Sequence, residues 1–286
     1  MSVKVENKTF DGNRELYGLE YVRAENCSFC GNDGNALSEC GVVESKDCTF
    51  DSPYPLWHGR VVTLEDCELT QKCRDALWYS KDINILGTKL NGARAVRDCK
   101  NVVIRNCEIN SAEFGWGVKD VRLTDTSASG EYFMMRGKNL AVRRLDYKGK
   151  YAFQYIEDAI IMDSTLVSPS ALWHSKDVVV ENCVLVGEQL GRYSTNLTLK
   201  NCTIIGSRPL CYCKKLRMVD CVMQDTELSF ERSEVYAVIR GKIESILNPT
   251  KGVIKAPEVG QIIRDDPYAR CKVMTDPGLL RGYRNE

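Results

Sequence analysis

Val178-Val-Val-Glu-Asn-Cys183-Val-Leu185 is one copy of a pattern that recurs down most of the chain. The pattern is apolar, any, apolar, any, Asn or Asp, Cys or Thr, any, apolar. Aligned on the Cys position, its copies fall at Cys27, Cys48, Cys67, Thr88, Cys107, Thr126, Leu145, Ser164, Cys183, Cys202 and Cys221. Successive spacings are 21, 19, 21 and then 19 seven times. A fixed period near 20 residues marks a repeat architecture, either a leucine-rich repeat or a β-helix. A leucine-rich repeat needs a Leu-rich strand and a helix-like return. Here the strand positions are β-branched (Val178, Val180, Val102, Ile104, Ile83, Ile85), and no segment between them has helical periodicity. Short strands and tight turns, about 19 residues per circuit, describe an all-β fold: a single-stranded right-handed parallel β-helix, a solenoid of about twelve coils.

Each coil has a physical logic. Apolar side chains five and three residues before the Cys position alternate inward, as at Val62 and Leu64, Leu197 and Leu199, and Leu216 and Met218. The residue just before it (Asn26, Asp47, Asp66, Asn106, Asp125, Asp163, Asn182, Asn201, Asp220) is of the type that tolerates a left-handed bend. Stacked coil on coil, these residues would form a polar ladder. The Cys or Thr reads as a small core filler. Two residues later another apolar side chain enters the core, as at Phe29, Phe50, Leu90, Ile109 and Met223.

Composition narrows the partners. Thirty-nine basic and 39 acidic side chains leave no net charge, so nothing points to nucleic acid or an anionic membrane. No apolar run approaches the roughly 20 residues of a membrane span, and the N-terminal stretch has no signal-peptide core. The chain has 14 cysteines, and seven of them share one slot with Thr, Ser and Leu, which is the behaviour of a buried small residue rather than a cross-link. That usage implies a reducing, cytoplasmic setting. Cys27-Ser-Phe-Cys30 has metal-type spacing but no second pair, so no metal or cofactor is expected.

The repeat runs through residues 1–240, with residues 1–26 as an imperfect first coil that caps the N-terminal end. Residues 241–286 hold four of the eight prolines and read as a C-terminal capping segment and tail. Val253-Ile254 and Ile262-Ile263 are its expected strands, and a loop is expected beyond Asp265.

Two columns carry unusual chemistry. Ten residues before the Cys slot stand Trp57, Trp78, Arg97, Trp116, Met135, Gln154, Trp173, Arg192 and Cys211. Nine before it stand His58, Tyr79, Asp98, Gly117, Arg136, Tyr155, His174, Tyr193 and Tyr212. Strand alternation would place one column in solvent and the other inside. Leu56, Leu77 and Leu172, one residue earlier, favour tryptophan outward, whereas the small Ala76, Ala95 and Ala171 favour tryptophan inward. A binding platform would use rings on the apolar faces of sugars and Arg97, Arg136 and Arg192 on carboxylates. A stacked structural ladder is the alternative. The expected substrate-binding residues are Trp57, Trp78, Arg97, Trp116, Arg136, Tyr155, Trp173, Arg192, Tyr193 and Tyr212. Acid–base candidates near the stripe are Asp75, Asp98, Glu113, Glu131 and Glu188, each with a reading as a solvated turn charge. His58 and His174 lie six repeats apart and cannot form one dyad. His174, beside Trp173 and close to Tyr155 and Tyr193 on neighbouring coils, is the better single candidate for proton transfer, with Asp98 and Glu113 as the carboxylates. The Lys-Asp pairs at Lys81-Asp82, Lys119-Asp120 and Lys176-Asp177 read as turn chemistry.

The repeat resembles the pectate-lyase-like right-handed parallel β-helix superfamily. Ala171-Leu-Trp-His-Ser175, Tyr151-Ala-Phe-Gln-Tyr155, Pro209-Leu-Cys-Tyr-Cys213 and Ile246-Leu-Asn-Pro249 are more closely similar to an uncharacterised bacterial family of cytoplasmic β-helix proteins, a domain of unknown function. The likeness covers nearly the whole chain and implies fold and compartment, with no established activity. The calcium-binding Asp cluster and catalytic Arg of pectate lyases do not occur, nor does the Asp set of polygalacturonases, so neither a lyase nor a glycoside hydrolase motif is recognisable. Two functional expectations remain. One is an intracellular protein that binds or modifies a saccharide ligand through the stripe. The other is a non-catalytic scaffold that contacts another protein or forms a homo-oligomer.

Overall fold

A computed structural model describes residues 1–32 and 34–276, and among them there is no helix. The chain is a parallel β-solenoid of about 14 turns, against about twelve expected from the repeat. It divides into two compact units, Met1–Asp146 and Tyr147–Glu286.

In the first unit each turn pairs in parallel with the next, and like side chains stack on like. Val62 pairs with Ile83 and Leu64 with Ile85. Ile83 then pairs with Val102 and Ile85 with Ile104. After the bend, Leu69, Leu90 and Ile109 repeat the arrangement in short strands. Every one of these residues is buried. Near the N-terminus the core carries a ring stack, Phe10 on Phe29 at 5.0 Å and Phe29 on Phe50 at 4.9 Å. Residues 1–26 form a regular turn, with Ser2–Glu6 paired to Tyr21–Glu25.

The second unit repeats the scheme. Val178 and Val180 pair with Leu197 and Leu199, and Leu185 pairs with Ile204. A register shift between Met218 and Cys221 ends the strict period. Winding continues in shorter turns: Glu234–Ile239 pairs with Lys251–Ala256, and Lys242–Leu247 with Glu258–Ile263. Both expected tail strands therefore form. Beyond Asp265, where a loop was expected, Lys272–Thr275 is a further strand paired to Lys251–Ala256. Residues 277–286, at the end of the expected tail, lie outside the described residues.

Three devices hold each turn. The first is the left-handed bend. Asn7, Asn26, Asp47, Asp66, Asn106, Asp125, Asp163, Asn182, Asn201 and Asp220 have φ between 48° and 55°. The polar ladder forms where an amide is available: Asn26 Nδ2 donates to Asn7 Oδ1 (2.6 Å), and Asn201 Nδ2 to Asn182 Oδ1 (2.9 Å).

The second device is the slot that follows. Every residue in it is buried, Leu145 included, and all 14 cysteines are unlinked. The slot is more than a filler. Thr88 Oγ1 donates to the carbonyl of Leu86 (2.9 Å) and accepts from the backbone N–H of Cys67 one turn earlier (3.2 Å). Thr126 does the same for Thr124 and Cys107. Cys183 Sγ donates to Glu181 and accepts from the N–H of Ser164 (3.4 Å). A buried backbone N–H must find a partner, and Cys, Ser and Thr are the small residues that both donate and accept. A second corner uses the same chemistry, with Ser80 Oγ accepting from Gly59 N–H and donating to Leu56.

The third device is close backbone approach. A Cβ on Gly206, where φ is 125°, would lie 2.3 Å from the carbonyl oxygen of Gly187.

Burial pushes the thiols of Cys27 and Cys107 upward, that of Cys73 up to about 11 and that of Cys99 up to about 12. Only Cys30 among the cysteines is not buried. Iodoacetamide applied to the native protein at pH 8 is expected to modify Cys30 first, with the other 13 protected until denaturant is added. Peptide mass mapping reads this out, and rapid native alkylation of the repeated slot would contradict it.

Candidate functional site

The stripe sits on a face built from consecutive turns rather than from a strand. In the first unit the N–H groups of Asp75, Leu77 and Tyr79 donate to the neighbouring turn, at Ala93, Ala95 and Arg97. Between them, Trp78 N–H and Ser80 N–H close local turns onto Asp75 and Leu77. Asp75 and Tyr79 are left-handed, with φ of 49° and 60°. In the second unit Ser170, Leu172 and His174 alternate in the same way, with φ of 55°, 63° and 52°. This geometry overturns the strict alternation expected from a strand. Side chains point two in and two out. Leu56, Leu77, Leu172 and the residues before them are buried, while both candidate columns reach the surface except at Gln154 and Cys211, which are buried. The tryptophans are half-buried at the base, and the His and Tyr column stands outside them.

In the first unit the arrangement centres on Arg97. Its guanidinium lies 5.3 Å from the ring of Trp78 and 5.9 Å from that of Trp116. Its Nε is 3.5 Å from Asp98 and its Nη1 4.0 Å from Glu113. Asp98 also accepts from Trp78 Nε1 (3.2 Å). Asp98 and Glu113 are therefore brought together on either side of a shared arginine. Trp57 packs against His58 at 4.5 Å, and His58 Nδ1 faces Glu39 (3.3 Å). Arg136 is exposed in the outer column. Asp75 is a buried structural acid. Arg94 binds it with two bonds, 2.7 and 2.9 Å, which raises the pKa of the guanidinium. Glu131 is exposed, as is Glu188 in the second unit.

In the second unit the outer column is a continuous surface stack. Tyr155 lies on His174 at 4.8 Å, His174 on Tyr193 at 4.9 Å and Tyr193 on Tyr212 at 5.1 Å. Arg192 stands 4.9 Å from the rings of both Tyr193 and Tyr212 and is held by Gln189 (3.1 Å). Trp173 Nε1 donates to the Gln189 carbonyl (2.6 Å). Tyr212 donates to Glu231 (2.7 Å), and that bond raises the phenol pKa. His174 has no carboxylate within 4 Å among the described residues and stands between two rings. The expected grouping of His174 with Asp98 and Glu113 is thus not assembled within either unit.

Ring spacing has a chemical consequence. At turn-to-turn distance the rings of the second-unit stack cover one another, so their inner faces are closed to the apolar face of a sugar. What the columns offer is ring edges: a row of phenol hydroxyls, one imidazole and the outer edge of a guanidinium. Tyr193 and Tyr212 also line a groove of about 720 Å³ whose other walls, Lys214, Arg232, Glu234, Lys251, Tyr268 and Arg270, the sequence did not single out. The one signal that could have found it is that Arg232 follows Tyr212 in the left-handed outer column. Among the described residues no group of three His, Cys, Asp or Glu is arranged to hold a metal ion.

Fold and site together define a parallel β-solenoid with ladders of aromatic and arginine side chains on a turn-built face. The chain belongs to the family described as "Protein of unknown function (DUF3737)", whose model matches residues 3–274. A comparison with curated proteins returned no match. Among solved structures the chain is similar to PfbA, a surface adhesin of Streptococcus pneumoniae, at 11% identity and a TM-score of 0.31 over 90% of this chain and 74% of that one. It is similar to the A-module of the Azotobacter vinelandii mannuronan C-5 epimerase AlgE6 at 10% identity and a TM-score of 0.35, over 93% and 91%. It is also similar to QnrB1, a plasmid-mediated fluoroquinolone resistance protein, at 12% identity and a TM-score of 0.25, over 82% and 89%. These scores carry no argument about activity.

If His174 serves the ring stack, His174→Ala should lower stability by about 1–2 kcal/mol, while His174→Tyr should stay within about 0.5 kcal/mol of the parent. Urea unfolding followed by circular dichroism measures both. Equal stability of the alanine variant would show that the stack contributes nothing.

Proposed function

We propose that the protein is a non-catalytic saccharide-binding module of a reducing compartment, gripping its ligand along the edges of the two columns. The observation that carries this reading is the surface row Tyr155, His174, Tyr193 and Tyr212 with Arg192 beside it. Rings that brace one another lose little side-chain freedom when their polar edges bind a ligand, which favours hydrogen bonding to sugar hydroxyls. In the first unit Trp78, Arg97 and Trp116 provide a similar base, with Asp98 as an acceptor. The non-catalytic part rests on the acid–base groups. Glycosidic bond cleavage uses two carboxylates on either side of the bond, one to protonate and one to attack or activate water. Asp98 and Glu113 are both tied to Arg97, and His174 has no carboxylate to orient it. Fourteen unlinked cysteines support the reducing compartment.

A second reading is a protein-interaction module. It is favoured by one feature of the second unit: a shallow groove of about 510 Å³ on the outer sheet face, lined by Val219, Tyr236, Val238 and Val253. Val219 and Tyr236 are each 46% exposed, which is high for such side chains clustered together. A second copy of the chain is the simplest occupant.

A glycan array with the whole chain separates the two readings. The saccharide reading expects at least one glycan class to bind, about tenfold weaker binding for Tyr193→Ser and Arg192→Ala, and no product by chromatography after long incubation. Absence of binding across the array, or variants that bind like the parent, would sink it. A dimer mass in solution that returns to monomer in Tyr236→Asp would then favour the interaction module.

A further inference from the structure

The groove beyond Tyr212 differs from the rest of the molecule in charge. Over the whole chain acidic and basic residues balance. This groove gathers four cations: Lys214, Arg232, Lys251 and Arg270. Two of them are spoken for. Arg232 Nε meets Asp266 at 3.0 Å, and Lys251 Nζ meets Glu234 at 3.3 Å. Lys214 and Arg270 make no ion pair among the described residues, although both are exposed. Two like charges held on one concave surface with no counter-ion repel each other, and a bound anion removes that repulsion.

The loop that supplies Arg270 is fixed from beneath. Asn248, 8% exposed, accepts from the N–H groups of Asp265 and Asp266 at 3.0 and 3.2 Å. Asp266 in turn accepts from Tyr268 N–H at 2.9 Å, so that its carboxylate ties together the loop and Arg232. That places Tyr268 at the rim, 69% exposed and with no ring partner among the described residues. Unlike the rings of the stack, it has free faces. A ligand here meets an open aromatic face, the edge of Tyr212 and two uncompensated cations. The volume lies inside the range of small-molecule sites, roughly 300–1,000 Å³.

The geometry points to a phosphate monoester as the group bound between Lys214 and Arg270, carried by a small sugar whose ring lies on Tyr268. Charge matching selects phosphate over carboxylate. A phosphate monoester carries a charge of about −1.5 to −2 near neutral pH and matches two free cations, whereas a carboxylate would leave one unmatched. Arginine and lysine are both suited to phosphate, the first as a fork of donors and the second as a point charge. The sugar half of the proposal rests on the saccharide reading of the adjoining column. The phosphate half rests on the two cations alone.

Titration calorimetry on the whole chain in 0.15 M salt tests it, with glucose 6-phosphate, glucose and inorganic phosphate as probes. Glucose 6-phosphate is expected to bind at least about tenfold more tightly than either glucose or inorganic phosphate. Lys214→Ala with Arg270→Ala, both exposed and free of structural bonds through their side chains, should weaken it about a hundredfold, and Tyr268→Ala about tenfold. The groove proposal is overturned if neither glucose 6-phosphate nor inorganic phosphate binds, or if the double variant binds like the parent. Neutral glycans that bind the array, are lost in His174→Ala but not in the double variant, and show no preference for the phosphorylated sugar would overturn the groove and leave the saccharide reading standing. Phosphate binding that depends on Lys214 and Arg270, with no sugar contribution, would uphold the anion site and overturn the sugar half.

Discussion

At four bends of this solenoid, after Asn26, Asp66, Asn106 and Asp163, one backbone N–H points inward, where neither the ladder nor water can reach it. A thiol or hydroxyl from the next turn accepts its hydrogen bond, as Thr88 does for Cys67 and Cys183 for Ser164. The same side chain donates to the carbonyl two residues before it. An unmade buried bond costs roughly 1–3 kcal/mol, and the arrangement recurs at four bends, although Leu145 fills the same slot with no donor or acceptor. That constraint explains why the slot keeps returning to Cys, Thr and Ser. It also explains why so many cysteines are compatible with no disulfide at all: their sulfur atoms already have partners along the stack. Once the slot is fixed, the left-handed Asn or Asp before it and the apolar residues around it are held in register, and like stacks on like.

The same stacking shapes the outer face. Turn-to-turn spacing is the ring-to-ring spacing, so aromatic residues in one column close on each other. Tyr155, His174, Tyr193 and Tyr212 form such a stack at the surface, and Phe10, Phe29 and Phe50 form one in the core. The surface stack trades open faces for rigid edges. Recognition there belongs to hydroxyls, imidazole and guanidinium, with an open ring face reserved for Tyr268, which lies off the ladder. Acid–base chemistry has no comparable support. Asp98 and Glu113 both face Arg97, and Asp75 is held by Arg94.

Much of the fold was legible because its signals are local and repeated. The period, the β-branched core positions and the Asn and Asp bends all stand in the sequence, and each corresponds to one physical requirement of the turn. The turn-built face was not legible. Its left-handed residues include Leu172, Phe153 and Tyr193, types that ordinarily avoid that conformation. Bonds from one turn to the next compensate the local cost, and such bonds leave no mark on residue type. Reading that face as a strand forced a choice between tryptophan in and tryptophan out, when both columns reach the surface. The groove was hidden for another reason. Tyr212, Lys214, Lys251 and Arg270 are brought together by turns of unequal length after the strict period has broken, so no single spacing links them.

The most direct test of the central claim is a pair of substitutions at one slot. Thr88→Val keeps the shape of the side chain and removes its bond to the Cys67 N–H, whereas Thr88→Ser keeps that bond and removes a methyl group. Equilibrium urea unfolding should show the valine variant less stable than the parent by about 1–3 kcal/mol, and the serine variant closer to the parent than the valine one. A valine variant as stable as the parent, or more so, would mean that the slot is only a space to be filled and that the hydrogen bond does not hold the turns in register.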